Sequence, residues 1–294
     1  MRCLFLWIGV LAACETTVDN QKPVGGHVDS QARLERYVRH AYLDLSGLPP
    51  SDDDMAAATA RLHDQGNTAA ARGELIDELT AKDAFATLWV EELENSIFGG
   101  NTLAQQYQFI CSIVKGQDRS CDSCTNQDPC TCACGALPML ATERTDLAKT
   151  TSDFHSGVAT SSIERRYAAA TGYFALNGTP ENRVTALFDD FLVRTAEGEE
   201  IENGRAMIIG AIIPNTPAGL LFHRYGSSYK DLIDIVFSSE IYREAMVRRV
   251  FNRYLSREPS SVELAYFATT LDATKPDMRG LVHAVLSSRE YFDQ

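Results

Sequence analysis

The sequence predicts an all-α fold: a multi-helix bundle with two similar helical-hairpin units and a cysteine-rich irregular insert. Apolar residues recur at three- and four-residue steps along much of the chain, which is the spacing of one helix face. Helix stops and starts stand between those runs, with Gly or Pro followed by Ser or Thr. The same order of signals opens the first folded stretch and returns near the C-terminus.

At the N-terminus, Met1 and Arg2 precede an apolar run from Leu4 to Ala12. That run is far shorter than the roughly 20 residues that span a bilayer. It reads as a secretory signal over residues 1–13, ending Leu11-Ala12-Ala13-Cys14. These four residues resemble the lipobox of bacterial lipoproteins. The resemblance implies lipidation of Cys14 and a bacterial envelope location, periplasmic or surface-facing, with the membrane as a partner through the anchor. At about 0.8 kcal/mol per buried methylene, several acyl chains make a lasting anchor. Residues 14–29 are polar, hold Pro23, Gly25 and Gly26, and show no hydrophobic period, as a flexible tether does.

Residues 30–100 form the N-terminal helical unit. Its first helix presents Leu34, Tyr37, Val38, Ala41, Tyr42 and Leu45 on one face. Gly47, Pro49 and Pro50 stop it, because Gly permits a left-handed exit and Pro cannot continue the ladder. Ser51 is the next N-cap, with Asp52, Asp53 and Asp54 in the first turn, where the helix dipole favours them. Met55, Ala58, Thr59 and Leu62 line the second helix, which ends near Gly66, and Leu75, Ile76 and Leu79 line the third. A fourth is expected to begin near Thr80 and to carry Phe85, Leu88, Trp89 and Leu93.

The strings YLDLSGLPPSDDD and RGELIDELTAKDAFATLWVEEL resemble the helical domain of unknown function in planctomycete cytochrome-c-associated proteins. Tyr42, Leu43, Asp44, Leu45, Gly47, Leu48, Pro49, Pro50, Leu75, Ile76, Asp77, Leu79 and Trp89 match its pattern. The resemblance covers a minor part of the chain. It implies a periplasmic or surface helical domain and no catalytic residue. The haem signature of that family's neighbouring domains is missing here.

Cys111, Cys121, Cys124, Cys130, Cys132 and Cys134 fall within residues 101–150, among polar and small residues. Such a stretch cannot build an apolar core and needs staples. An even count in an exported chain predicts disulfides, and the sequence does not choose their pairing. The alternative is a structural zinc site at Cys121, Cys124, Cys130 and Cys132, opening on the two-residue gap that tetrahedral thiolate sites use. A redox dithiol at Cys121 and Cys124 lacks the strand-then-helix setting that lowers a thiol pKa.

Residues 151–228 form a central helical segment. Leu147 to Ser162 reads as a loop, and a helix runs from Ser162 through Leu176 to Asn177-Gly178. Thr179 caps the next helix with Pro180 at its first position, and Val184, Leu187, Phe188, Phe191 and Leu192 form its stripe. Glu197 to Gly204 reads as an acidic loop and Met207 to Ile213 as a short apolar run, buried helix or strand, for which the helical neighbours favour helix. Residues 229–294 form the C-terminal unit. Ser228 caps a helix bearing Leu232, Ile235 and Val236, and Ser260 with Glu263 forms a capping box. Tyr254-Leu255 before Pro259 parallels Tyr42-Leu43 before Pro50 with a shorter turn. Val236-Phe237-Ser238-Ser239-Glu240 is echoed by Leu286-Ser287-Ser288-Arg289-Glu290.

A net charge of -13 over 294 residues argues against a nucleic-acid partner, since the balance gives no basic surface to neutralise phosphates. The chain has no nucleophile elbow, His-Glu-x-x-His, phosphate loop or dinucleotide fingerprint. The six histidines are scattered, and Asp153 with His155 is the best-placed acid/base or metal pair. The reading is an envelope-anchored lipoprotein that is not an enzyme. It would bind or scaffold an envelope protein or polymer, with no cofactor apart from the zinc alternative. Two alternatives remain: an accessory of an envelope redox or degradative system, implied by the family resemblance alone, and a metal- or thiol-dependent site at the cysteine insert.

Overall fold

The computed structural model describes residues 29–210 and 217–294. The signal, Cys14 and all of the tether but Asp29 lie outside the described residues, as do Ala211 to Ile213 of the expected buried helix. The described residues are helical apart from one two-stranded hairpin and the connections, so the all-α expectation holds.

Helix α1 (Gln31–Ser46) buries the six apolar residues its period selects. It stops at Gly47, whose φ of 70° is left-handed and whose N–H bonds to Leu43 O. Ser51 Oγ accepts the Asp54 N–H at 3.1 Å and opens α2 (Asp52–Asp64). Thr68 caps α3 (Ala69–Thr80) in the same way. The fourth helix starts later than expected, as α4 (Asp83–Ile97), because Lys82 N–H bonds to Leu79 O at 3.2 Å and closes α3 first.

The region expected to be irregular is framed by helices. A Thr102–Gln105 capping box starts α5 (Leu103–Gln117). Two single 3₁₀ turns follow, at Arg119–Cys121 and Pro129–Thr131, and then α6 (Leu137–Leu147). The loop expected from Leu147 to Ser162 holds α7 (Thr150–His155) and the start of α8 (Thr160–Ala169). The expected single helix through Leu176 breaks at Ala170, whose ψ of 141° is extended, and resumes as α9 (Thr171–Leu176).

Thr179 and Pro180 open α10 (Pro180–Leu187) as read, and the helix then widens into a π turn at Phe188–Leu192. The expected acidic loop is instead α11 (Gly198–Ile209). Glu197 and Glu200 cap it reciprocally, and Glu200 also holds Arg194 at 2.8 and 2.5 Å. β1 (Gly219–Leu221) pairs antiparallel with β2 (Arg224–Gly226), with Leu220 opposite Tyr225. Its two-residue turn, Phe222 and His223, has φ of 47° and 61°. Such turns need positive φ and normally use Asn or Gly, so the sequence does not announce this one.

Ser228 caps α12 (Tyr229–Phe237), which is followed by α13 (Glu240–Leu255). The Ser260–Glu263 capping box opens α14 (Ser261–Thr270), and α15 (Arg279–Leu286) and α16 (Arg289–Phe292) complete the chain. The shorter C-terminal turn is corrected. α1 ends at Ser46 and α13 at Leu255, so residues 47–51 and 256–260 are turns of equal length. The helix ends set this register, not the tyrosines.

The chain forms two compact units. Among the described residues, the first holds those from Asp29 to Phe85, Val250–Arg257 and Arg279–Gln294. Its core includes Leu34, Tyr37, Leu75, Val282 and Phe292, with Tyr37 5.5 Å from Phe292 between ring centroids. Arg72 is only 2% exposed; its Nε donates to Ser287 O at 2.7 Å and one Nη to Asn67 O at 2.6 Å. Asp29 is not free tether. It accepts from Asn67 and from both Nη of Arg289 at 2.8–3.1 Å, and it pairs with Arg33.

The second unit holds Ala86–Arg249 and Glu258–Met278. Trp89 stacks on Phe154 at 4.2 Å, and rings run Tyr173–Phe191–Phe237–Tyr242 at 4.9–5.9 Å through its core.

Candidate functional site

The cysteines act first, because they fix the segment joining α5 to α6. Cys111 pairs with Cys130, Cys121 with Cys134 and Cys124 with Cys132, at Cα separations of 5.2, 5.4 and 6.1 Å. Those separations suit bridges. Cys111 is placed by α5 rather than by a loop, and it is buried with Cys121, Cys130 and Cys132. This pairing corrects the zinc alternative. Cys121, Cys124, Cys130 and Cys132 belong to three different bridges, and disulfide sulfurs offer a metal no thiolate. Cys121 and Cys124 do not pair with each other, so they are no redox dithiol either. Among the described residues, no group of three or more His, Cys, Asp or Glu could hold a metal ion.

Two aspartates fasten the stapled segment. Asp118 Oδ1 accepts the Ser120 N–H at 2.9 Å, and Asp128 Oδ1 accepts the Cys130 N–H at 3.0 Å. Asp128 also meets Arg144 of α6 at 2.8 Å. The Arg144 hydrogen bond, outweighing burial, holds Asp128 below the usual carboxylate range.

The second unit has a groove beside α6, α8 and the start of α9, with a cavity of about 480 Å³. Its apolar lining is Met139, Leu147, Ala169 and Ala170, and its polar lining is Thr142, Glu143, Asp146 and Arg166. Glu143 accepts from the Tyr107 O–H, from Thr171 Oγ1 at 2.8 Å and from the Gly172 N–H at 3.3 Å. Burial pushes the Tyr107 phenol up, and the hydrogen bond and charge of Glu143 push it further, so it remains a donor. A Cβ at Gly172 would stand 3.1 Å from the Tyr107 ring, tighter than most such contacts, so the ring would have to give by a few tenths of an ångström.

The other charges in the groove have counter-ions. Asp146 meets Lys149 at 2.8 Å, and the Lys149 hydrogen bond holds its carboxyl below the usual range. Arg166 meets Asp153 at 2.7 Å and reaches Asp146 O at 3.4 Å. The sequence candidate Asp153 is therefore brought to Arg166 at the groove, and His155 is exposed on α7.

Tyr107, Glu143 and Arg166 were not picked out from the sequence. The apolar period of α5 places Tyr107 on the same face as Cys111, and a buried tyrosine needs an acceptor for its hydroxyl. That acceptor lies 36 residues away, which no local pattern reveals. No described helix is long and apolar enough to cross a membrane. No protein family, curated protein or solved structure matches this chain.

Proposed function

We propose that the chain is an exported, envelope-anchored lipoprotein without a catalytic role, binding or scaffolding a partner protein or polymer through the groove of α6, α8 and α9. The observation that carries this is the groove's setting. Its helix α6 is tied by Arg144 to a segment held by three bridges rather than by a core of its own. Bridges of that kind suit an oxidising compartment, and the residues around Cys14 suit a lipid anchor.

In this reading the bundle contains two similar helical-hairpin units, one on each side of a cysteine-rich insert. Both turns begin with a left-handed residue, Gly47 at φ 70° and Ser256 at φ 53°, and both end in a capping serine, Ser51 and Ser260. After α3 and after α15 comes the same two-residue link. Lys82 N–H bonds to Leu79 O, and Ser288 N–H bonds to Val285 O, each at 3.2 Å. The first unit is the module that resembles the planctomycete domain.

A photo-crosslinking residue at Met139, in cells that export the full chain, tests the binding role. Adducts at Met139 and none at exposed Glu202 are expected, and their absence at both positions overturns the reading. The anchor is tested by mass spectrometry of the mature N-terminus. An acylated Cys14 is expected, and an intact, unacylated N-terminus removes the envelope assignment.

A further inference from the structure

We infer that the groove selects a cation on an aliphatic stem, namely a lysine or arginine side chain of the partner protein. This rests on the binding reading above and names the chemistry of the partner. Asp146 and Arg166 are matched by Lys149 and Asp153. Glu143 is held by neutral donors, the hydroxyls of Tyr107 and Thr171 and the Gly172 N–H. Among the described residues no Lys, Arg or His pairs with it, so the groove carries one negative charge without a counter-ion.

Three donors leave acceptor capacity on an ionised carboxylate. They also fix the group before a partner arrives, so little ordering is lost on binding. Met139, 58% exposed, and the exposed Ala169 give a methylene stem an apolar surface to lie on, with Leu147 and Ala170 packed beneath. The thioether of Met139 adapts to stems of different shape. A cavity of about 480 Å³ has the size of a pocket that takes a ligand. At longer range the net charge of -13 draws basic partners and repels acidic ones.

The test uses the full mature chain with its bridges intact and a labelled, acetylated and amidated peptide of alternating lysine and leucine. Binding should weaken with added salt. Peptides with norleucine or glutamate in place of lysine should not compete. Glu143→Gln keeps an oxygen for the Tyr107 O–H and the Gly172 N–H, with its amide NH2 donating to Thr171 Oγ1, and should weaken binding roughly tenfold or more. Thr142→Lys leaves Glu143 and its donors in place and supplies an internal cation, so it should weaken binding as well. Equal affinity for the lysine and norleucine peptides overturns the inference, as does parental affinity in both variants. If Met139 still forms adducts in cells but the lysine peptide does not bind, the cation preference falls and the binding role stands. If the peptide binds with this profile and Met139 forms no adducts, the cationic site stands and the envelope-partner reading falls.

Discussion

Glu164 shows how much one buried residue decides. It is 1% exposed, accepts from Arg249 at 2.7 and 3.0 Å and takes the Tyr242 O–H at 2.7 Å. Burial alone would lower the Arg249 guanidinium, but the charge and hydrogen bond of Glu164 more than reverse that. Glu164→Ala would leave the cation uncompensated. Because Arg249 keeps some solvent contact, the low end of the usual penalty applies, a loss of about 3 kcal/mol in urea unfolding. The motif recurs: Tyr167 donates to Glu94 at 2.5 Å, Tyr173 to Asp190 at 2.8 Å and Tyr291 to Asp44 at 2.7 Å.

Two aspartates should respond to pH with opposite signs. Burial raises Asp190, the Tyr173 hydrogen bond opposes this, and the charge of Asp189 adds to it. Its folded pKa therefore lies above the unfolded value of about 3.9. Its stabilising contribution is complete below that value and is lost as pH rises through the folded pKa. Asp190→Asn should flatten the decline in stability that sets in as pH rises above about 4. Burial would also raise Asp29, but hydrogen bonds from Arg289 and Asn67 and the charges of Arg289 and Arg33 hold it low. Its contribution is present above about pH 3.9 and is lost as pH falls through the folded pKa. Asp29→Asn should lower neutral stability and shrink the acid loss. Urea midpoints measured across pH check both.

At the scale of elements, legibility followed how locally each signal is written. Ser51, Thr179, Ser228 and Ser260 each accept a backbone N–H within three residues, and the sequence reading found them all. Ser51→Ala and Ser260→Ala should each cost about 1 kcal/mol in thermal or urea unfolding. α11 was missed because a glutamate, not Ser or Thr, sits at its N-cap. The hairpin was missed because Phe222 and His223 occupy positions where positive φ normally selects Gly or Asn. Replacing both Cys111 and Cys130 with serine should cost about 2–4 kcal/mol.

At the scale of the molecule, all three bridges lie within Ala86–Arg249, in the second compact unit. Reduction should therefore raise amide exchange in α5 and α6 well before it does so in α1–α3. Local opening follows the contacts that are lost. An equal rise along the whole chain would contradict that division.

The sequence by itself determined that the described chain is helical, where α1 ends, where α2, α10, α12 and α14 begin, and that the cysteines need staples. Each of those follows from interactions within a few residues: a repeat of apolar side chains, a cap, a left-handed exit, or a run too polar to form a core. Only the tertiary structure decided which cysteine meets which, and that Asp29 is clamped by Arg289 260 residues away. It alone matched Arg249 to Glu164 and, among the described residues, left Glu143 held by neutral donors without a cation. Those outcomes depend on which helix faces pack together, and packing brings distant residues within hydrogen-bond reach without leaving a local trace.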